Sequence, residues 1–144
     1  MRMARLAADY LRRAESRLKD AESANQRKDY PEVVRYSQEA VELSLKACLR
    51  LVGVEYPKEH HVGDVLKIHT DRFPEWFRGL VEDFDRISAE LALKRSPSMY
   101  GLEAAGKGPS ELFDSREADL SLSQARLVHG NAVKLLQEVV GTGI

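Results

Sequence analysis

A single cysteine, Cys48, stands in the whole chain, so no internal disulfide can form and a reducing cytoplasm is the expected setting. No apolar run opens the sequence and no stretch of 18 apolar residues occurs in it, which argues against secretion and against membrane insertion. Aromatic residues make up only 7%, and alternating apolar runs bounded by turn signals are missing, so no sheet is expected. There is no internal repeat. Charge of one sign is also lacking: 22 basic residues against 23 acidic ones leave a formal net charge of -1, and bulk electrostatics announces no nucleic-acid partner.

Charge itself is plentiful at 31%, above the roughly 25% of ordinary soluble domains, and suits a helical protein better than a sandwich. At 144 residues, one domain spanning 1–144 with a single core is expected. Met3, Leu6, Ala7, Tyr10, Leu11, Ala14, Leu18 and Ala21 recur at helical spacing and predict a first helix over about 2–25. The turn QRKDYP follows, with Asp29 as candidate cap and Pro31 in the first turn of a second helix that runs to about 52, where Gly53 stops it. A short helix over about 62–69 comes next. The stripe Phe77, Leu80, Val81, Phe84, Ile87 and Leu91 then predicts a fourth helix, begun by Pro74 and ending after Leu93. Pro97, Gly101, Gly106, Gly108 and Pro109 make the next stretch the longest loop. A last helix over about 115–140 carries Ala118, Leu122, Ala125, His129, Ala132, Leu136 and Val139 at alternating four and three spacing, as in a coiled-coil seam.

The second helix lines one face with small residues. Ser37, Ala40, Ser44, Ala47 and Cys48 lie at offsets of 3, 7, 10 and 11 from the first, and Val33, Val41, Leu45 and Val52 flank them. Small side chains let helix axes approach closely, which predicts the central helix of a bundle rather than a nucleophile at Cys48, beside which nothing basic stands.

Other tempting features read as structural. Gly101 to Gly108, GLEAAGKG, has the glycine and lysine spacing of a phosphate loop, but Gly108 stands where a Ser or Thr should bind magnesium, and no strand precedes it. His60, His61 and His69 lack a Cys or carboxylate at a familiar metal-site spacing, so neither a metal nor a cofactor is expected. His129 sits on the apolar seam as a hydrogen-bonded core or interface histidine. Residues 1–28 hold Arg2, Arg5, Arg12, Arg13, Arg17, Lys19, Arg27 and Lys28 against Asp9, Glu15, Asp20 and Glu22, a stripe able to track phosphates or simply to face water.

Ser37-Gln38-Glu39-Ala40-Val41-Glu42 with Lys46-Ala47, then His60, Val62-Gly63 and Val65-Leu66, resembles the HEPN domain family, especially its small stand-alone prokaryotic members, over nearly the whole chain. The resemblance implies an all-α, up-and-down bundle of four long helices plus one short helix, and a homodimer. Many members are metal-independent RNases with an Arg, four residues, then a His in a cleft between subunits. Others bind nucleotide or RNA, often as toxin-antitoxin components paired with a minimal nucleotidyltransferase. The matching arginine here is Arg95, and Tyr100 stands where His belongs. Because a phenol of pKa ~10 is a poor base at neutral pH, the expected role is a binding or regulatory module. The alternatives are an RNase in which Arg95, helped by Tyr100, Ser96, Ser98 or a distant His129, cleaves RNA at a cleft between subunits, and a structural helical oligomer.

Overall fold

The computed structural model describes residues 2–55 and 61–142. Helix α1 (Arg2–Gln26) turns Ala4, Ala7, Leu11, Ala14, Leu18, Ala21 and Ala24 inward at spacings of three and four, so a narrow alanine-rich ridge faces the core. The chain reverses where Lys28 takes a φ of 61° and the Asp29 N–H donates to the Ala24 carbonyl at 2.9 Å. Asp29 precedes the next helix as expected, but its side chain makes no capping bond.

Helix α2 (Tyr30–Leu51) is the centre of the bundle and packs against α1 as well as against α5 (Val81–Tyr100) and α7 (Ser115–Thr142). All five small residues of its face are fully buried, together with Val33, Val41 and Leu45. That is why the sequence keeps them small: larger side chains would hold the neighbouring axes apart. Gly53, at φ 79°, ends the helix by donating to the Arg50 carbonyl.

The short α3 (Val62–Ile68) lies on α5, and Gly63 allows the approach, because a Cβ there would run into the Asp85 carboxylate. The predicted fourth helix is divided into one turn, α4 (Glu75–Arg78), and α5. At the break the Leu80 N–H bonds to the Phe77 carbonyl, three residues back, tightening the chain. Phe73 stacks on Phe77 at 4.3 Å and Phe84 meets Phe77 edge-on at 5.6 Å, so the three buried rings fix the corner.

Helix α5 also runs past the expected end at Leu93, through Pro97 to Tyr100. Proline removes the bond to the Leu93 carbonyl, but Leu93 is 80% exposed and faces water, while the Ser98 hydroxyl donates to the Arg95 carbonyl at 2.6 Å. A glycine then ends the helix: Gly101 has φ 75° and ψ -154°, and its N–H bonds to Pro97 O at 2.8 Å. The following segment is not wholly loop. Leu102 and Lys107 exchange backbone bonds, closing GLEAAGKG into an exposed loop, and α6 (Pro109–Leu112) precedes α7.

The core face of α7 follows Ala118, Ser121, Leu122, Ala125, Val128, Ala132 and Leu135. The expected heptad seam is therefore rotated toward the 3.6-residue period of a straight helix, leaving His129 and Leu136 half-buried at its edge. The described residues form an all-α bundle of four long helices with short ones between them, and no strand occurs among them.

Candidate functional site

Polar residues on α2 break its apolar character at Gln38, Glu39, Glu42 and Lys46, and three of them face a cleft of about 420 Å³ between α1, α2 and α5. Its lining is Arg13, Ser16 and Arg17 from α1, Glu39, Glu42, Leu43 and Lys46 from α2, and Arg95 from α5. Four cations thus meet two carboxylates, which leaves the cleft net positive although the chain is nearly neutral.

Arg95 follows the buried Leu91 by one turn, and there a guanidinium needs partners. One Nη donates to the Gln38 Oε1 at 2.8 Å and to the Glu39 Oε2 at 2.9 Å. Gln38, itself buried, passes its amide N–H to Glu42 at 3.3 Å, so the acceptor oxygen is turned toward Arg95. The Arg95 side chain remains 42% exposed, anchored at one edge and open to the cleft at the other.

Glu39 has three arginine partners. Besides Arg95, its carboxylate lies 3.4 Å from Arg35 and 3.9 Å from Arg17. Arg35 is committed elsewhere as well: it grips Glu32 through Nε at 3.2 Å and Nη2 at 2.8 Å, and stacks 4.5 Å over the Tyr36 ring. Its hydrogen bond holds the Glu32 carboxyl below the usual carboxylate range, with burial acting the other way. Arg17 also pairs with Asp20 at 3.1 Å, and its buried Nε has no hydrogen-bond partner.

Tyr100 is not part of this cleft. It is 60% exposed at the end of α5, and five residues of helix place it roughly 140° around the axis from Arg95. His129 bonds through Nε2 to the Leu11 carbonyl at 3.1 Å, tying α7 to α1. His61 lies 3.6 Å from Asp85, which also holds Lys67 at 3.1 Å, while His69 ends α3 a helix length away; His60 lies outside the described residues. Among the described residues no group of three His, Cys, Asp or Glu could hold a metal ion. Cys48 is fully enclosed and burial pushes its thiol far up, the opposite of an activated nucleophile.

Of the basic stripe on α1, only Arg13 and Arg17 reach the cleft, whereas Arg12 pairs with Asp9 and Lys19 with Glu15 on the open surface. The cleft roles of Glu39, Glu42 and Lys46 were not read from the sequence. The signal that could have shown them is their spacing of three and four on a helix whose other faces are buried.

A family model described as the HEPN domain matches residues 7–136. The crystal structure of TT1696 from Thermus thermophilus is similar with a TM-score of 0.67 at 25% sequence identity, covering 89% of this chain and 96% of that chain. Among curated proteins, none matches significantly.

Proposed function

This chain belongs to the HEPN domain family, and on that premise we propose that it is a dimeric binding or regulatory module whose Arg95 cleft takes the phosphates of a nucleotide or RNA. The observation that carries the reading is the Arg95 guanidinium, fixed by Gln38 and Glu39 at 2.8 and 2.9 Å yet open to a cleft shared with Arg13, Arg17 and Lys46. A planar fork among further cations is suited to phosphate oxygens. Strand cleavage needs in addition a base within hydrogen-bond reach of a ribose hydroxyl. Tyr100 is turned away, and no histidine among the described residues lines the cleft, which supports binding over catalysis.

The partners follow from the family. A homodimer of one-domain chains, working in the cytoplasm with a minimal nucleotidyltransferase as a toxin-antitoxin pair, is the setting this reading proposes. Leu93 and Met99 are exposed apolar side chains on α5, Leu93 on the side of the helix away from Arg95, and they are the surface on which this reading seats a second copy. No helix among the described residues is long and apolar enough to cross a membrane.

The test is binding of a fluorescent single-stranded RNA by the purified protein in chelator. Arg95→Ala should weaken binding about tenfold or more with the helical circular dichroism unchanged, Arg95→Lys should recover only part, and affinity should fall with salt. Rapid RNA cleavage in chelator, abolished by Arg95→Ala, would replace this reading by the RNase alternative.

A further inference from the structure

The arginine cluster of the cleft already holds an anion of its own. Glu39 sets one carboxylate oxygen 2.9 Å from Arg95 and 3.4 Å from Arg35, and the other 3.9 Å from Arg17. A phosphate group arriving at the open edge of Arg95 and at Arg17 would come up against this carboxylate, and two anions in contact there repel. We propose that Glu39 is a specificity-determining residue of the cleft, an internal competitor that only a multiply charged phosphate ligand displaces, by swinging onto Arg35. The inference rests on the phosphate-binding reading of the Arg95 cleft.

The geometry provides the resting place. Arg35 lies outside the cleft lining, one helical turn before Glu39 on α2, and is already within 3.4 Å of it. Its fork is held by Glu32 through two nitrogens and its plane is supported by Tyr36, so Arg35 stays in position while Glu39 moves. Only Nη1 faces Glu39 and is free to tighten on it. Arg95 keeps its second partner, the Gln38 oxygen, and therefore does not lose its aim when the carboxylate leaves. Singly charged ions gain too little from the vacated guanidiniums to drive the exchange. A diphosphate spreads more charge over more acceptor oxygens and can engage Arg95, Arg17 and Lys46 together.

The competition makes two opposite predictions for residues that touch each other. In calorimetric titrations with inorganic pyrophosphate, Glu39→Gln should bind about fivefold or more tightly than wild type, because an amide of the same shape no longer competes. Arg35→Gln should bind about threefold more weakly, although Arg35 is not in the cleft, because the displaced carboxylate has nowhere to go. In wild type, singly charged nitrate should bind far less well than pyrophosphate, and Glu39→Gln should narrow that gap. Thermal melts of each variant verify folding. If wild type binds pyrophosphate through Arg95 and Glu39→Gln binds no more tightly, the competition is wrong while the cleft reading stands. If Glu39→Gln tightens but Arg35→Gln is unchanged, the swing onto Arg35 is refuted and the proposal with it. If no variant binds, the cleft reading falls and takes the competition with it.

Discussion

Cys48 shows at the scale of a residue how position overrides chemistry. A thiolate is the reactive form, and burial raises the thiol so far that almost none is ionised near neutral pH. Native protein should therefore react with a disulfide reagent at pH 8 on the order of 100-fold more slowly than protein unfolded in guanidinium. Complete labelling of the folded protein within minutes would contradict the burial. Ala47, one residue before it, is equally enclosed, and Ala47→Leu adds three carbons where α2 meets its neighbours. That overpacking should destabilise by about 1–3 kcal/mol, read as a lower urea midpoint with an unchanged slope. Both side chains were legible in the sequence because a run of small residues at helical spacing marks a face against which another helix packs closely. The three arginine partners of Glu39 were not, since they come from α1, from α2 itself and from α5, and no local pattern joins Arg17 to Arg95.

Between elements, the α3 to α5 contact depends on a missing side chain. Asp85 sits where a Cβ on Gly63 would be, and from there it holds Lys67 at 3.1 Å and approaches His61 at 3.6 Å. Gly63→Ala would force the carboxylate to rotate out and give up these partners, and should lower stability by about 1–2 kcal/mol. Asp85→Ala in the same chain should recover part of that loss, because the clash is with the carboxylate. A double-mutant cycle in urea checks it, and strictly additive losses would show that the two residues do not meet. Helix boundaries show the limits of pattern reading in the same region. Pro97 looks like a breaker in the sequence, yet the helix passes through it because the carbonyl it frees lies on the water side. Conversely, the stripe from Phe77 to Leu91 reads as continuous although Phe73, Phe77 and Phe84 pack into a corner that interrupts it.

For the whole molecule, the outward apolar residues matter most. Leu93, Met99 and Tyr100 on α5 and Leu120 and Leu127 on α7 are exposed, more large side chains than a water-facing pair of helices needs. Covering them with a second copy is the expected use. Sedimentation equilibrium at tens of micromolar should give twice the 16.2 kDa chain mass, and Leu93→Glu should shift it toward the monomer without loss of helicity. A monomer at that concentration would leave the proposed dimer without support.

The sequence by itself determined the helical class, the four long helices and the central place of α2, because apolar periodicity and small-residue spacing are local properties that survive without knowing the neighbours. It also supplied the residues that match the HEPN pattern, including Gly63, whose reason for being glycine lies in another helix. Tertiary structure alone decided which charges share a cleft. Arg13 and Arg17 join Arg95 while Arg12 and Lys19 face water, and Tyr100 points elsewhere, because the rotation of α1 and α5 against α2 is set by how their buried faces pack. A polar group's partners follow from that rotation, which is a property of the whole core and of no single segment.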